Sequence, residues 1–290
     1  MSGTPIELPV RDGTLAALDF GGHGPGLLLV HGSGHNAAAW TDVAARLVDH
    51  CHPVALDLRG HGQTPVTSTD PERYWRDIGE AVTALSWERP VLVGHSTGGY
   101  AVTAAVADGL VDPAALCVVD GVVLDDRDTA LAEHAALRTP ETADRLRALF
   151  RYGWSATDEQ MRAHVARCVR EAEGDWLNAG ARPELVEEVT RRSFLRRDHH
   201  WLRRPTIEEI VTVSTVDAEA RVFPGVDVYD HLTVPTTFVL AGEGFYAARR
   251  DEVRALVDAV PGRRLVDLDG NHNLPMTRPA ELAAVLGELL

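Results

Sequence analysis

PVLVGHSTGGYAVTAAVA, residues 90–107, joins a short apolar run to a run of small residues through a glycine-rich turn. The apolar run at its start predicts a strand buried on both faces, and the alanine-rich run after Thr97 predicts a helix. The turn itself, GHSTG at residues 94–98, matches the G-x-S-x-G pattern. Between a strand and a helix, this pattern forms a tight, strained turn that exposes the serine side chain. The stretch therefore predicts that Ser96 is a nucleophile at the carboxyl end of a strand.

Apolar runs and helical patterns alternate on both sides of this turn. The runs with strand character are residues 6–10, 14–20, 26–31, 54–58, 90–94, 116–120, 236–241 and 263–268. Helical spacing of apolar residues marks residues 37–49, 71–87, 97–108, 248–260 and 279–290. Strands that alternate with helices are typical of a parallel sheet covered on both faces. We therefore predict an α/β fold with a mostly parallel, eight-stranded sheet flanked by helices.

This alternation is interrupted between about Leu124 and Tyr229. The segment is rich in Arg, Glu and Ala, and it shows helical spacing with no convincing buried strand. A helical block that interrupts an α/β sheet is more typical of an inserted cap than of an independent domain. We therefore predict a core domain of residues 1–123 and 230–290, and a helical cap insertion at residues 124–229.

Composition excludes several classes of partner and chemistry. The formal net charge is -15, which disfavours binding to nucleic acid or to an anionic membrane surface. All 28 basic residues are arginine, so no lysine is present to form a Schiff base. The three cysteines lie far apart and form no CxxC pair, which argues against a zinc site and a disulfide framework. We expect no metal and no cofactor.

The sequence also carries an expectation about location and assembly. Met1–Val10 has no basic stretch followed by an apolar one, and no apolar run reaches the length of a membrane span. We therefore expect a cytoplasmic protein. The expected partner is a small-molecule substrate, and the sequence leaves a homodimer open.

A second glycine-rich turn, HGSG at residues 31–34, follows the third predicted strand. Backbone N–H groups in such a turn can stabilise the negative oxygen of a tetrahedral intermediate. We predict that Ser33 supplies one of these donors and Thr97, the residue after Ser96, supplies the other. Gly34 is the second choice for the first donor.

Four motifs together resemble the α/β-hydrolase superfamily. They are HG at residues 31–32 with Trp40 downstream, DLRGHG at 57–62, GHSTG at 94–98 and GNH at 270–272. The resemblance covers nearly the whole chain, with the predicted cap as the variable part. Since that family orders its catalytic residues as serine, acid and histidine, it implies that Ser96 is the nucleophile and His272 the general base. We expect DLRGHG to hold the loop after the fourth strand, without a catalytic role.

The catalytic acid departs from the usual pattern of the family. Most relatives carry an aspartate in a Gly-x-x-Asp pattern after the strand at 236–241, whereas this chain has Phe245 at that position. Three explanations remain open: Asp120 at the end of the preceding core strand, Glu243, or no acid at all. We favour Asp120, because certain lipases, zearalenone-lactonase-like hydrolases and a branch of the haloalkane dehalogenases place their acid after this strand. Glu243 is the alternative acid.

The expected activity is hydrolysis of a carboxylic ester or lactone of a small to medium organic molecule through an acyl-enzyme. A carbon–carbon bond hydrolase or a thioesterase would share the serine, and the missing aspartate at Phe245 keeps a non-hydrolytic, ligand-binding protein open. Several arginines of the cap and the segment after it have the chemistry to hold a carboxylate or phosphate, although we favour pairing with nearby acids on a solvated face. These arginines are Arg191, Arg192, Arg196, Arg197, Arg203, Arg204, Arg249 and Arg250.

Overall fold

The computed structural model describes residues 3–290, without the side chain of Leu149. The strands are β1 (Thr4–Val10), β2 (Gly13–Asp19), β3 (Gly26–Val30), β4 (His52–Leu56), β5 (Val91–His95), β6 (Ala115–Val119), β7 (Ser155–Ala156), β8 (Phe194–Arg197), β9 (His200–Arg203), β10 (Thr236–Glu243) and β11 (Arg263–Asn271). The α-helices are α1 (Thr41–Ala44), α2 (Arg73–Ala84), α3 (Thr97–Ala107), α4 (Arg127–Leu137), α5 (Pro140–Phe150), α6 (Asp158–Glu171), α7 (Pro183–Arg192), α8 (Ile207–Val211), α9 (Arg250–Asp258), α10 (Leu274–Thr277) and α11 (Pro279–Gly287). None of the described helices is long and apolar enough to cross a membrane.

The main sheet has eight strands in the order β1-β2-β4-β3-β5-β6-β10-β11. Only β2 runs against its neighbours, and every pair from β4 to β11 along the sheet is parallel. The predicted mostly parallel, eight-stranded α/β fold is therefore confirmed. Because the strands from β4 onward are parallel, the residues that follow β5, β6 and β11 all lie along one edge of the sheet.

Alternating residues of the central strands supply two cores, one on each face of the sheet. In β3, Leu28 and Val30 belong to one apolar cluster, whereas Leu27 and Leu29 belong to the other. All four side chains have no solvent exposure. This alternation explains why the strand reads as a continuous apolar run, since both of its faces are covered by helices.

Most predicted elements differ from the observed ones by a few residues at an end, and the helix expected at 37–49 differs most. The helix expected at 37–49 is a short 3-10 turn, Ala37–Trp40, followed by α1 and further turns. The strand expected at 54–58 is β4 and ends at Leu56. The Asp57 N–H still donates to Ala16 of β2 at 2.8 Å, and its carboxylate accepts hydrogen bonds from the N–H groups of Ala37 and Gln63, at 2.7 Å each, which holds the loop after the strand.

The segment between β6 and β10 differs from the expected all-helical insertion. It contains α4 to α8, but it also contains a three-stranded antiparallel sheet in the order β7-β9-β8. The expectation of a segment without a convincing buried strand was wrong. These strands are only two to four residues long, and β8 carries two exposed arginines. Such short strands show no clear apolar alternation. The division into residues 1–123 with 230–290 and residues 124–229 stays a proposal.

The DLRGHG motif contacts this segment directly. The Asp57 carboxylate is fully buried and pairs with Arg192 at the end of α7, at 2.9 Å. The Gln63 amide donates to the backbone carbonyls of Arg192 and Phe194, at 2.6 and 2.9 Å. The loop after β4 therefore holds the insertion against the main sheet.

Candidate active site

Ser96 occupies the sharp turn that the sequence predicts. It follows β5 directly, precedes α3, and has φ 53° and ψ −127°, a left-handed conformation that costs a non-glycine residue about 1–3 kcal/mol. Its N–H donates to Val119 of β6 at 2.9 Å, and its carbonyl accepts from Gly99 at 2.8 Å. Hydrogen bonds on both sides thus hold the strained turn in place, with the serine at the edge of the sheet.

His272 and Asp120 form a buried pair behind this turn. His272 follows β11, Asp120 follows β6, and the distance from His272 Nδ1 to Asp120 Oδ2 is 2.6 Å. The aspartate is completely buried and the histidine is 6% exposed. The carboxylate also accepts backbone N–H groups, from Ala241 at 3.1 Å and from Phe245 at 3.2 Å. A carboxylate held in this way fixes the orientation and tautomer of the imidazole, leaving Nε2 without a proton.

The segment after β10 holds the acid instead of providing one. Phe245 occupies the position at which most relatives carry an aspartate, and its N–H donates to the Asp120 carboxylate. At Gly244, a Cβ atom would lie 2.2 Å from Asp120 Oδ2, so only glycine fits beside the carboxylate. The alternative acid, Glu243, ends β10 with an exposed side chain and has no hydrogen bond to His272 among the described residues. The structure brings Asp120, and not Glu243, to the imidazole.

The two predicted oxyanion donors are adjacent, but they differ in what they contact. The Ser33 N–H donates to the Thr97 hydroxyl at 2.7 Å, and the two hydroxyl oxygens are 3.0 Å apart. The Thr97 N–H lies at the first residue of α3, where a helix leaves its N–H groups without internal partners. Ser33 therefore points its N–H at a side chain, and that donor becomes available only when the Thr97 hydroxyl turns away.

A cavity of about 610 Å³ opens over the serine. On one side it is lined by Ser96 and His272, and on the other by Phe150, Tyr152 and Arg203 from the insertion. A volume of this size is typical of sites for small organic ligands. The described hydrogen bonds do not include one between Ser96 and His272; such bonds often form fully only when substrate is bound. We call Ser96, Asp120 and His272 the strand-end cluster, and Phe150, Tyr152 and Arg203 the insertion wall.

Buried histidines surround the strand-end cluster and are held neutral. Burial, followed by the fields of neighbouring histidines, lowers the pKa of His35 to about 3. Burial also lowers the pKa of His31 to about 4 and that of His95 well below 6.5. The Nε2 atom of His31 accepts the Leu58 N–H at 3.0 Å, and its Nδ1–H donates to Gly32 at 2.7 Å, so the ring braces the HGSG turn.

His95 has a positioning role that the sequence did not reveal. Its Nε2–H donates to the backbone carbonyl of His272 at 2.8 Å, and the two rings lie 4.7 Å apart. The residue before Ser96 therefore fixes the loop that carries His272. Its position beside Ser96 gave no hint of this, because a hydrogen bond across 177 residues depends on the folded sheet.

Comparison with known proteins agrees with this geometry. The model of the alpha/beta hydrolase family matches residues 27–285, which is most of the chain. Protein phosphatase methylesterase 1 of Mus musculus is 37% identical over 131 residues, 42% of this chain and 34% of that protein. The chain thus aligns with only about a third of the length of this curated relative.

Solved structures resemble the whole chain. The crystal structure of E-2-(acetamidomethylene)succinate hydrolase has a TM-score of 0.75 at 19% identity, and the match covers 99% of this chain and 98% of that one. An esterase of Thermogutta terrifontis has a TM-score of 0.68 at 20% identity, with 98% and 97% of the chains covered. At these identities the likeness shows a shared fold. The family model and the fold together show that this chain belongs to the alpha/beta hydrolase family.

Proposed function

We propose that this protein is a serine hydrolase that cleaves a carboxylic ester or lactone of a small to medium organic molecule through an acyl-enzyme. The observation that carries the proposal is the 2.6 Å contact between His272 and the buried Asp120, on the edge of the sheet where Ser96 is exposed to the same cavity as His272. A nucleophile, a base and an orienting acid are thus present in the roles that acyl transfer requires.

The proposed reaction begins when Ser96 Oγ attacks the carbonyl carbon. Its proton passes to His272 Nε2, and the imidazolium that forms is stabilised by Asp120. Collapse of the tetrahedral intermediate breaks the bond to the leaving alcohol, which takes the proton from His272. Water then loses a proton to His272 and attacks the acyl-enzyme, which releases the acid and restores the Ser96 hydroxyl.

The Thr97 N–H is the first donor to the developing oxyanion. It is placed next to the nucleophile at the start of α3, where the positive end of the helix dipole also favours negative charge. The Ser33 N–H is the second donor, after the Thr97 hydroxyl has moved. The methylesterase relative, named for an ester-cleaving activity, supports ester chemistry for the matched part of the chain.

Labelling with an organofluorophosphonate tests the proposal, because this reagent phosphonylates only an activated serine. Intact mass of wild type should show one adduct, and the Ser96→Ala variant should show none. Wild type should also hydrolyse simple esters, whereas the variant should not. No adduct on wild type, or an adduct that persists in Ser96→Ala, would contradict the proposed mechanism and favour a ligand-binding role for the cavity.

A further inference from the structure

The eight arginines that the sequence analysis singles out in the insertion and the segment after β10 differ in their partners. Six of the eight pair with a carboxylate within 4.0 Å, namely Arg191, Arg192, Arg196, Arg204, Arg249 and Arg250. Arg197 is exposed and donates to a backbone carbonyl. Arg203 is the exception, because it is 9% exposed and has no salt bridge among the described residues.

The surroundings of Arg203 leave its charge unbalanced. Its one described side-chain hydrogen bond runs from Nη1 to the backbone carbonyl of Arg204, and its buried Nε has no partner within residues 3–290. The guanidinium lies 5.9 Å from the ring of Tyr152 and 5.8 Å from the ring of Phe194. Aromatic faces attract a cation but do not neutralise it. A buried cation is costly unless it is paired, so an unpaired one calls for an anion from elsewhere.

Other cations strengthen the positive field at this end of the cavity. His164 lines the cavity, and its pKa is lowered to about 4 by burial and then by the fields of Arg203, Arg167 and Arg151. Neither Arg151 nor Arg167 has a salt bridge among the described residues. Two acids, Glu171 and Asp175, also line the cavity, but they are exposed and neither lies within 4.0 Å of an arginine nitrogen.

Tyr152 relates Arg203 to the reaction centre. Its hydroxyl lies against the HGSG turn, where a Cβ atom on Gly34 would be 1.8 Å from the oxygen. Its ring lies under the guanidinium of Arg203. The cationic group is therefore separated from the turn that carries Ser33 by roughly one tyrosine side chain. A short aliphatic chain spans such a distance.

From the burial, the missing carboxylate partner and the place of Arg203 in the cavity wall, we propose that Arg203 binds a carboxylate of the substrate. The ester or lactone cleaved at Ser96 is then an organic anion, with its carboxylate a few carbon atoms from the reacting carbonyl. This inference rests on the proposed function for the reaction, although the anion site is built from different residues. A guanidinium binds a carboxylate through two parallel hydrogen bonds, which gives both orientation and affinity.

Matched substrates test the inference. Monoethyl esters of succinic, glutaric and adipic acid carry the carboxylate at three distances, and in each neutral control an isopropyl group replaces it. Ethanol release by wild type should show kcat/KM about 10- to 100-fold higher for the anion than for its neutral match at one or more lengths, as expected for a charge-assisted hydrogen bond. In Arg203→Met this ratio should fall to about 1, whereas the exposed Arg197→Met should keep the wild-type ratio.

Because Arg203 also packs on Phe194, Arg203→Lys is a second variant that keeps the charge without the two-pronged geometry. It should retain part of the preference, and circular dichroism should show that each variant is folded. No preference for the anion in wild type, or an unchanged ratio in folded Arg203→Met, would overturn the inference.

Binding to the Ser96→Ala variant separates this inference from the proposed function. Calorimetry should detect monoethyl glutarate bound to Ser96→Ala, and the double variant with Arg203→Met should lose that binding. Arg203-dependent binding without any hydrolysis by wild type would uphold the anion site and reject the hydrolase. Hydrolysis of neutral esters with no preference for anions would uphold the hydrolase and reject the anion site.

Discussion

The strand-end cluster and the insertion wall face the same cavity but are built in different ways. Each member of the cluster is the residue that directly follows a parallel strand. The N–H groups of Ser96 and Asp120 donate to neighbouring strands, and His272 is held by Asp120 and His95. The insertion wall comes from the end of a helix, a loop and a small sheet with strands of two to four residues. The backbone of Arg203 is hydrogen-bonded to Gly153 and Trp154 within the insertion itself. The groups proposed to perform the chemistry therefore follow strands of the main sheet, while the groups proposed to select the ligand lie in the insertion.

The largest effect is expected from the acid of the strand-end cluster. Asp120→Asn should lower kcat by about 10⁴-fold, because an amide no longer stabilises the imidazolium or its tautomer. Glu243→Gln, the matched control on the neighbouring strand end, should change kcat by less than about twofold, since the side chain is exposed. Steady-state ester hydrolysis measures both. The reverse ranking would show that Glu243 is the acid and that Asp120 does not belong to the catalytic cluster.

A smaller effect is expected from the residue that makes room for the acid. Gly244→Ala places a Cβ atom 2.2 Å from Asp120 Oδ2 and should displace the carboxylate, with kcat lowered by about 10- to 100-fold. Gly242→Ala is the control, because its Cβ atom would meet nothing closer than 3.6 Å. Equal rates for the two variants would mean that close packing against Gly244 does not fix the position of the Asp120 carboxylate.

The smallest effect concerns buried histidines on the two sides of the cavity. Burial lowers the pKa of His31 to about 4 and that of His164 to about 4, whereas an unfolded histidine titrates near 6.5. Between these values the unfolded chain binds more protons. These histidines therefore cost no stability above pH 6.5. Below that pH, the free energy of unfolding falls by about 1.4 kcal/mol per pH unit for each histidine as the pH drops toward 4.

Urea unfolding at several pH values between 4.5 and 7 measures this loss. His164→Gln, in the insertion, should reduce the slope of the free energy of unfolding against pH by the contribution of one histidine. The buried histidines near the strand-end cluster should account for the remaining slope. A free energy of unfolding that stays level or rises on acidification would contradict the assignment of these side chains as buried and neutral.

The strand-end cluster and the insertion also differ in how well the sequence predicts them. The strand-end cluster was predictable, because the carboxyl ends of parallel strands share one edge and GHSTG, Asp120 and GNH each follow an apolar run. The hydrogen bond from Ser33 to Thr97 and that from His95 to the loop of His272 were not predictable, because they join residues that only the folded sheet brings together.

The insertion was predicted less well for a related reason. Strands of two to four residues carry too few positions to show a pattern, so β7, β8 and β9 were missed. The sequence singles out eight arginines in the insertion and the segment after β10, but it does not show which of them pairs with an acid. Arg203 and Arg204 are neighbours, yet Arg204 pairs with Glu209, while Arg203 has no carboxylate partner in the part of the chain that the structure describes. Only the direction of each side chain distinguishes them.

The contact between Gln63 and the insertion has a consequence for how substrate preference can change. The Gln63 amide donates to two carbonyl groups of the main chain, those of Arg192 and Phe194. Every amino acid offers the same carbonyl oxygen, so this attachment tolerates replacement of the side chains around it. Side chains that line the cavity can thus be replaced while the hydrogen bonds from Gln63 are kept. The segment from Phe194 to Arg203 is therefore a suitable target for redesigning ligand selectivity.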